Sequence, residues 1–151
     1  MQGYSAGLFT PKVGEGHISI WPWHYSAVIQ GTWAFTLQAS ALWYGYLDNT
    51  SSTQNDQLDY KVYLDIGTYS LAFVGIRNTN RAILTFLIDT VSIGTIDLYG
   101  ALSYAYLYPQ ITNIAITTRG IKTLSVKAAT RNASATAWYT GLEAISLYRT
   151  A

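Results

Sequence analysis

The chain has 151 residues, half of them apolar and 15% aromatic, with 11% charged, a formal net charge of +1 and no cysteine. One domain fits that length, and so small a charge offers no field to draw in nucleic acid or an anionic membrane. Without thiols there are no disulfides, no thiolate zinc sites and no cysteine nucleophiles. Ordinary globular proteins carry about 25% charged residues, so the polar faces here must be hydroxyl and amide faces. Such faces suit a covering protein chain or a neutral ligand.

Residues 1–16 contain glycines, one proline and no hydrophobic period, which predicts an extended N-terminal segment. They have no basic start leading into an apolar core, so they do not read as a signal peptide. Residues 17–151 then break into short runs separated by turn chemistry, and form the single β-sandwich domain. Strands are predicted over 18–21 and 28–37, the second with Gly31 as a bulge. The aromatic run LWYGYL (42–47) comes next, followed by the wholly polar DNTSSTQNDQ (48–57), read as an exposed loop.

LDYKVYL (58–64) alternates: Leu58, Tyr60, Val62 and Leu64 fall on one face, Asp59, Lys61 and Tyr63 on the other. TYSLAFVGI (68–76) returns antiparallel, and RNTNR (77–81) turns the chain again. LIDTVSIGTIDLYG (87–100) reads as a tight hairpin cornered at Asp89-Thr90. ITNIAIT, KTLSVKA and LEAISLY complete the set. The longest apolar run, 82–88, is far too short to span a bilayer as a helix. No window keeps a helical period, while β-branched residues and glycines abound. Eight to ten short strands predict an all-β antiparallel sandwich of the jelly-roll type.

Three groups of residues are candidates for contact with something else. WPWHY (21–25) places two tryptophans beside His24 and Tyr25. An indole face stacks on the apolar C–H face of a sugar ring, so Trp23 and Tyr25 are candidate ligand-binding residues. Asp48, Asn49 and Asp56, in the polar loop, offer oxygens and amides for sugar hydroxyls or for calcium. Tyr104, Tyr106 and Tyr108 recur with period two, which points all three rings to one face and marks a candidate subunit interface.

Nothing in the sequence points to catalysis. His17 and His24 make a poor metal pair, there is no Gly-x-Ser-x-Gly elbow, and Glu15 and Glu143 form no recognisable carboxylate pair. The expectation is a non-enzymatic protein with no cofactor and no metal.

The succession GTYSLAFVG, ILTFLIDTVSIGTIDLYG and GIKTLSVKAATRNASATAWYTGLEAISLYRT resembles the jelly-roll head domains of phage tail fibres and other virion structural proteins. The trimeric heads of the tumour necrosis factor and complement type share this pattern. That resemblance implies a homotrimeric head at the exposed tip of a fibre or spike, or a capsid decoration, that attaches to a cell-surface glycan or protein receptor. Its partners would be sister subunits and other virion proteins, its place the virion surface, and after release the extracellular space. The order GTY, IGTIDL, KTLSVKA, RNAS, LEAISLYR is also similar to jelly-roll carbohydrate-binding modules, which implies the alternative of a monomeric glycan binder. Against the module pattern, Asp89-Thr90 stands where an Asp-Gly corner is usual. Glu15 is only a distant substitute for the acidic pair that helps such modules hold structural calcium.

Overall fold

A computed structural model describes residues 16–151 as twelve strands in two sheets, every ladder between strands antiparallel, with no helix. Apart from Gly16, the expected extended segment 1–16 lies outside the described residues. The first strands are β1 (His17–Ile20), β2 (Ala27–Gln30), β3 (Trp33–Leu37) and β4 (Gly45–Asn49). Next come β5 (Gln57–Leu64), β6 (Gly67–Arg77), β7 (Ala82–Ile88) and β8 (Val91–Asp97). The last four are β9 (Ser103–Leu107), β10 (Ile111–Ile116), β11 (Gly120–Arg131) and β12 (Leu142–Arg149).

Sheet one runs β10-β6-β12-β4-β3, and sheet two runs β2-β5-β11-β7-β8. In sheet one, short strands share lanes. β10 lies along residues 67–71 of β6 and β9 along 74–77; β1 lies along residues 145–148 of β12, and β4 meets β12 at Leu142. The alternation read in β5 sets one face inward: Leu58, Tyr60, Val62 and Leu64 are buried while Lys61 and Tyr63 are exposed. Leu84, Phe86, Leu124 and Val126 join them from β7 and β11, and Leu71, Phe73, Ile145 and Leu147 meet them from sheet one. Phe73 and Phe86 touch edge to face across the sandwich, ring centroids 5.6 Å apart. Each such residue contributes about 1.5–3 kcal/mol through burial, so the sandwich is held without covalent staples.

The β7–β8 hairpin forms where the sequence places it. Ile88 pairs with Val91, and the two corner residues, Asp89 and Thr90, take φ of 47° and 72°. That is the two-residue mirror-image turn that matches strand twist. A β-branched threonine with positive φ is costly, and hydrogen bonds to β11 offset the cost. The Thr123 amide donates to Asp89 Oδ1 at 2.9 Å, and the Asp89 amide donates back to the Thr123 carbonyl at 2.9 Å. The Thr123 N–H, with Lys122 beside it, holds the Asp89 carboxyl below its ordinary range.

Two details differ from expectation and raise the strand count to twelve. The stretch 28–37 is not one bulged strand: it splits into β2 and β3, which belong to different sheets. The chain crosses at Gly31, whose φ of 92° and whose lack of a side chain both matter, because a Cβ there would come within 2.5 Å of the Asp56 carboxylate. SYAYL also adds a strand, β9. Within the aromatic run 42–47 the strand begins at Gly45, since Tyr44 has φ of 57° and closes a turn.

Candidate ligand-binding site

The polar loop was expected to expose Asp48, Asn49 and Asp56 to a ligand; all three are buried, and this corrects that reading. Asp48 Oδ2 accepts from Arg81 at 2.7 Å. Its Oδ1 accepts the amides of Asn49, Thr140 and Gly141 at 3.1, 2.8 and 3.1 Å. The Arg81 guanidinium lies over the rings of Tyr46 and Tyr139, 5.9 and 5.6 Å from their centroids. Asp56 accepts from Asn49 Nδ2 at 2.8 Å, Ser51 Oγ at 2.7 Å, the Thr53 amide at 2.9 Å and Thr53 Oγ1 at 2.7 Å. Burial alone would push its carboxyl up, but those donors outweigh it and hold Asp56 below the ordinary carboxylate range. Lone pairs so engaged are closed to sugar hydroxyls and to a cation. The group ties the loops at one end of the sandwich together.

The tyrosine strip also differs from expectation. Ala105 takes φ of 52° and the pairing slips between Gly75 and Arg77, so the period-two alternation fails inside β9. Tyr108 is buried against Phe73, centroids 5.5 Å apart, and its hydroxyl donates to the Ile76 carbonyl at 3.1 Å. Tyr106 packs on Tyr108 at 4.7 Å beneath the Arg77 guanidinium, and Tyr104 turns to Tyr46 at 6.4 Å. The three rings serve their own chain and form no common outward strip.

Glu15 lies outside the described residues, and Glu143 is fully buried in β12. Its Oε2 accepts the Leu42 amide at 2.6 Å and its Oε1 the Ala105 amide at 2.9 Å. Burial pushes its carboxyl above the ordinary value despite those two bonds. It ties the turn before β4 and strand β9 to β12.

What remains open is the flank where β1, β2 and β3 form the margins of the sheets. The WPWHY turn folds there because the His24 amide donates to the Trp21 carbonyl at 2.9 Å, while the buried Tyr60 hydroxyl donates to the Pro22 carbonyl at 2.6 Å. Burial raises the Tyr60 phenol far above its usual range, so it stays a donor at every physiological pH. The turn gathers aromatic rings from distant strands. Trp21 meets Trp23 at 5.0 Å and Trp43 at 4.7 Å, and Trp23 meets Phe35 at 5.0 Å.

Below the turn, β2 pairs with β5 only as far as Asp59, and among the described residues the lower half of β5 has no strand on that side. The gap between it and β1 is a cleft of about 410 Å³ lined by Ser19, Trp21, His24, Lys61 and Tyr63 among others. That volume lies in the range of small-ligand sites, roughly 300–1,000 Å³. Trp21 and the exposed Tyr63 supply apolar walls, and the rim carries imidazole and hydroxyl groups. No carboxylate lines it, and the Lys61 ammonium turns away to the Thr123 hydroxyl. Of the residues expected to touch a ligand, Trp23 supports Trp21 from behind, and Tyr25 stands outside the cleft. Among the described residues no group of three or more His, Asp or Glu is placed to hold a metal ion.

No protein-family model matches the sequence, and no curated protein is similar to it in sequence. The fold does match solved structures. A xanthan lyase from Paenibacillus superposes with a TM-score of 0.66 and 20% identity over 83% of this chain, which spans 12% of that enzyme. The CBM36-1 domain of a multidomain xylanase from the hindgut metagenome of Trinervitermes trinervoides matches with a TM-score of 0.63 and 16% identity, over 87% of this chain and 96% of that one. The Podospora anserina GH26-CBM35 β-(1,4)-mannanase matches at 0.50 with 13% identity, over 90% of this chain and 28% of that enzyme. At such identities the likeness shows the fold: an all-β jelly-roll sandwich like that of carbohydrate-binding modules. The module resemblance is thereby supported, and the virion-head resemblance gains nothing from these structures.

Proposed function

We propose that the chain is a non-catalytic carbohydrate-binding module that holds a neutral glycan in the flank cleft, one sugar face stacked on Trp21. The observation that carries this is the cleft itself: an indole and a phenol wall, a rim of imidazole and hydroxyl groups, and no carboxylate on its lining. A pyranose offers the matching surface, apolar on its C–H face and hydroxylated around its edge. Near-full-length likeness to the CBM36-1 domain supports the class of ligand. With no carboxylate on the lining and the Lys61 ammonium held by the Thr123 hydroxyl, the cleft favours an uncharged sugar, since no ion pair would have to be desolvated.

Calorimetric titration with neutral xylo-, manno- and gluco-oligosaccharides tests the reading. At least one series binds, and Trp21→Ala weakens it by about tenfold or more, ~1.4 kcal/mol. Tyr25→Ala leaves the affinity unchanged. Failure of every glycan to bind, or binding indifferent to Trp21→Ala, would contradict the proposal.

A further inference from the structure

From residue 26 to residue 47 the chain carries no charged side chain. This stretch builds β2 and β3, the open margins of the two sheets, on one flank. Natural proteins usually protect such edges with lysines, prolines or a covering element; neither strand contains a lysine or proline, and among the described residues no strand covers either edge. Both are exposed instead: Ile29 is 56% accessible, Phe35 44%, Leu37 81%, and Tyr44 in the adjoining turn 73%. The backbone is open as well. The Gln38 amide donates to the Tyr44 carbonyl and the Thr32 carbonyl accepts the Ser51 amide, so even-numbered residues of this segment face β4. By the alternation of an antiparallel ladder, the N–H and C=O groups of Phe35 and Leu37 point out of the sheet margin, and among the described residues no strand receives them.

We infer that β3 pairs with β3 of a second copy of this chain, antiparallel about a two-fold axis, so that sheet one continues from one protomer into the next. The occupant follows from charge and symmetry. An uncharged strip gives no purchase to a partner selected by charge, and a two-fold edge pairing sets the strip against itself, where no like charges meet. The exposed apolar side chains present on the order of 500 Å². A standard interface takes ~800 Å² from each partner, so the backbone ladder must supply the rest and the dimer is a concentration-dependent one. Two clefts on one dimer would let a glycan chain be held at two points, raising avidity through effective concentration. The pairing itself rests on the edge strand and not on glycan binding.

Sedimentation equilibrium from dilute to concentrated protein tests it. The mass rises from the 16.7 kDa of one chain toward twice that value. Leu37→Lys, which puts a charge on the margin, keeps the protein monomeric with an unchanged circular dichroism spectrum. Leu37→Pro removes one outward N–H while leaving the bonds to β4, and also keeps it monomeric. Ile121→Lys, on an exposed site of sheet two, dimerises like the parent. A parent that stays monomeric throughout, a threefold mass, or a dimer unmoved by both Leu37 variants would overturn the inference. Glycan titration of Leu37→Lys separates the two proposals, because the cleft is intact in that variant.

Discussion

The loop end of the sandwich and its flank treat their sequence in opposite ways. At the loop end, the carboxylates of Asp48 and Asp56 spend their hydrogen-bonding capacity on the protein itself, and little of it is left for anything outside. On the flank the chain sets aromatic rings around a half-unpaired strand and leaves both an apolar cleft and a bare sheet margin. The difference teaches that polar residues in a loop are not thereby available. Carboxylates with four or more donated hydrogen bonds each are structural members, whereas partly paired strands and packed indoles supply the open, weakly hydrated surface that recognition uses.

The loop end can be broken first, because there the largest effect lies. Arg81→Ala leaves Asp48 buried without its cation, and Asp48→Ala does the reverse. Either costs about 3–5 kcal/mol in urea unfolding, as expected when one member of a buried pair is removed. A loss below ~1 kcal/mol would mean that the loop end is as loosely built as the flank. Trp21→Ala, by contrast, acts on glycan affinity, which keeps the two regions distinct.

A smaller effect separates Asp56 from Glu143. The folded Asp56 has a depressed pKa, so its contribution to stability is complete above the unfolded carboxylate value near 4 and is lost as pH falls through the folded value. Glu143 has the opposite sign: its raised pKa means that ionisation subtracts stability at neutral pH, and the loss is recovered as pH falls through its folded value. Asp56→Asn is therefore expected to lower stability at pH 7 by about 2 kcal/mol, since Asn keeps one acceptor and sets an NH₂ against a donor. The acid limb of its stability curve becomes shallower than the parent's. An unaltered acid limb would assign the acid dependence to other groups.

How legible these regions were follows from the range of the interactions that make them. The strand alternation in β5 and the Asp89-Thr90 hairpin could be read directly, because both depend on neighbours in sequence and on a period of two. The WPWHY turn stood out by composition. The role of Asp48 could not be seen, because its partners Thr140 and Gly141 lie more than ninety residues on, and a polar run looks the same whether it is solvated or locked. Tyr104, Tyr106 and Tyr108 misled because period two assumes an unbroken strand, and one left-handed residue, Ala105, ends that assumption. Ser19 and Tyr63 carry no motif at all. The cleft exists because β2 stops pairing partway along β5, and the only hint of this was Gly31, which looked like a bulge and is the point where the chain leaves one sheet for the other.

The five tryptophans offer the most direct test of which region meets the ligand, because each indole N–H gives its own signal in a ¹H–¹⁵N spectrum. Trp21 and Trp23 report on the flank, and Trp138, under the Arg131 guanidinium, reports on the loop end. Titration with a binding oligosaccharide should move the Trp21 signal most and Trp23 next, while Trp138 stays in place. A shift of Trp138 with Trp21 and Trp23 unmoved would put the ligand at the loop end and contradict the account.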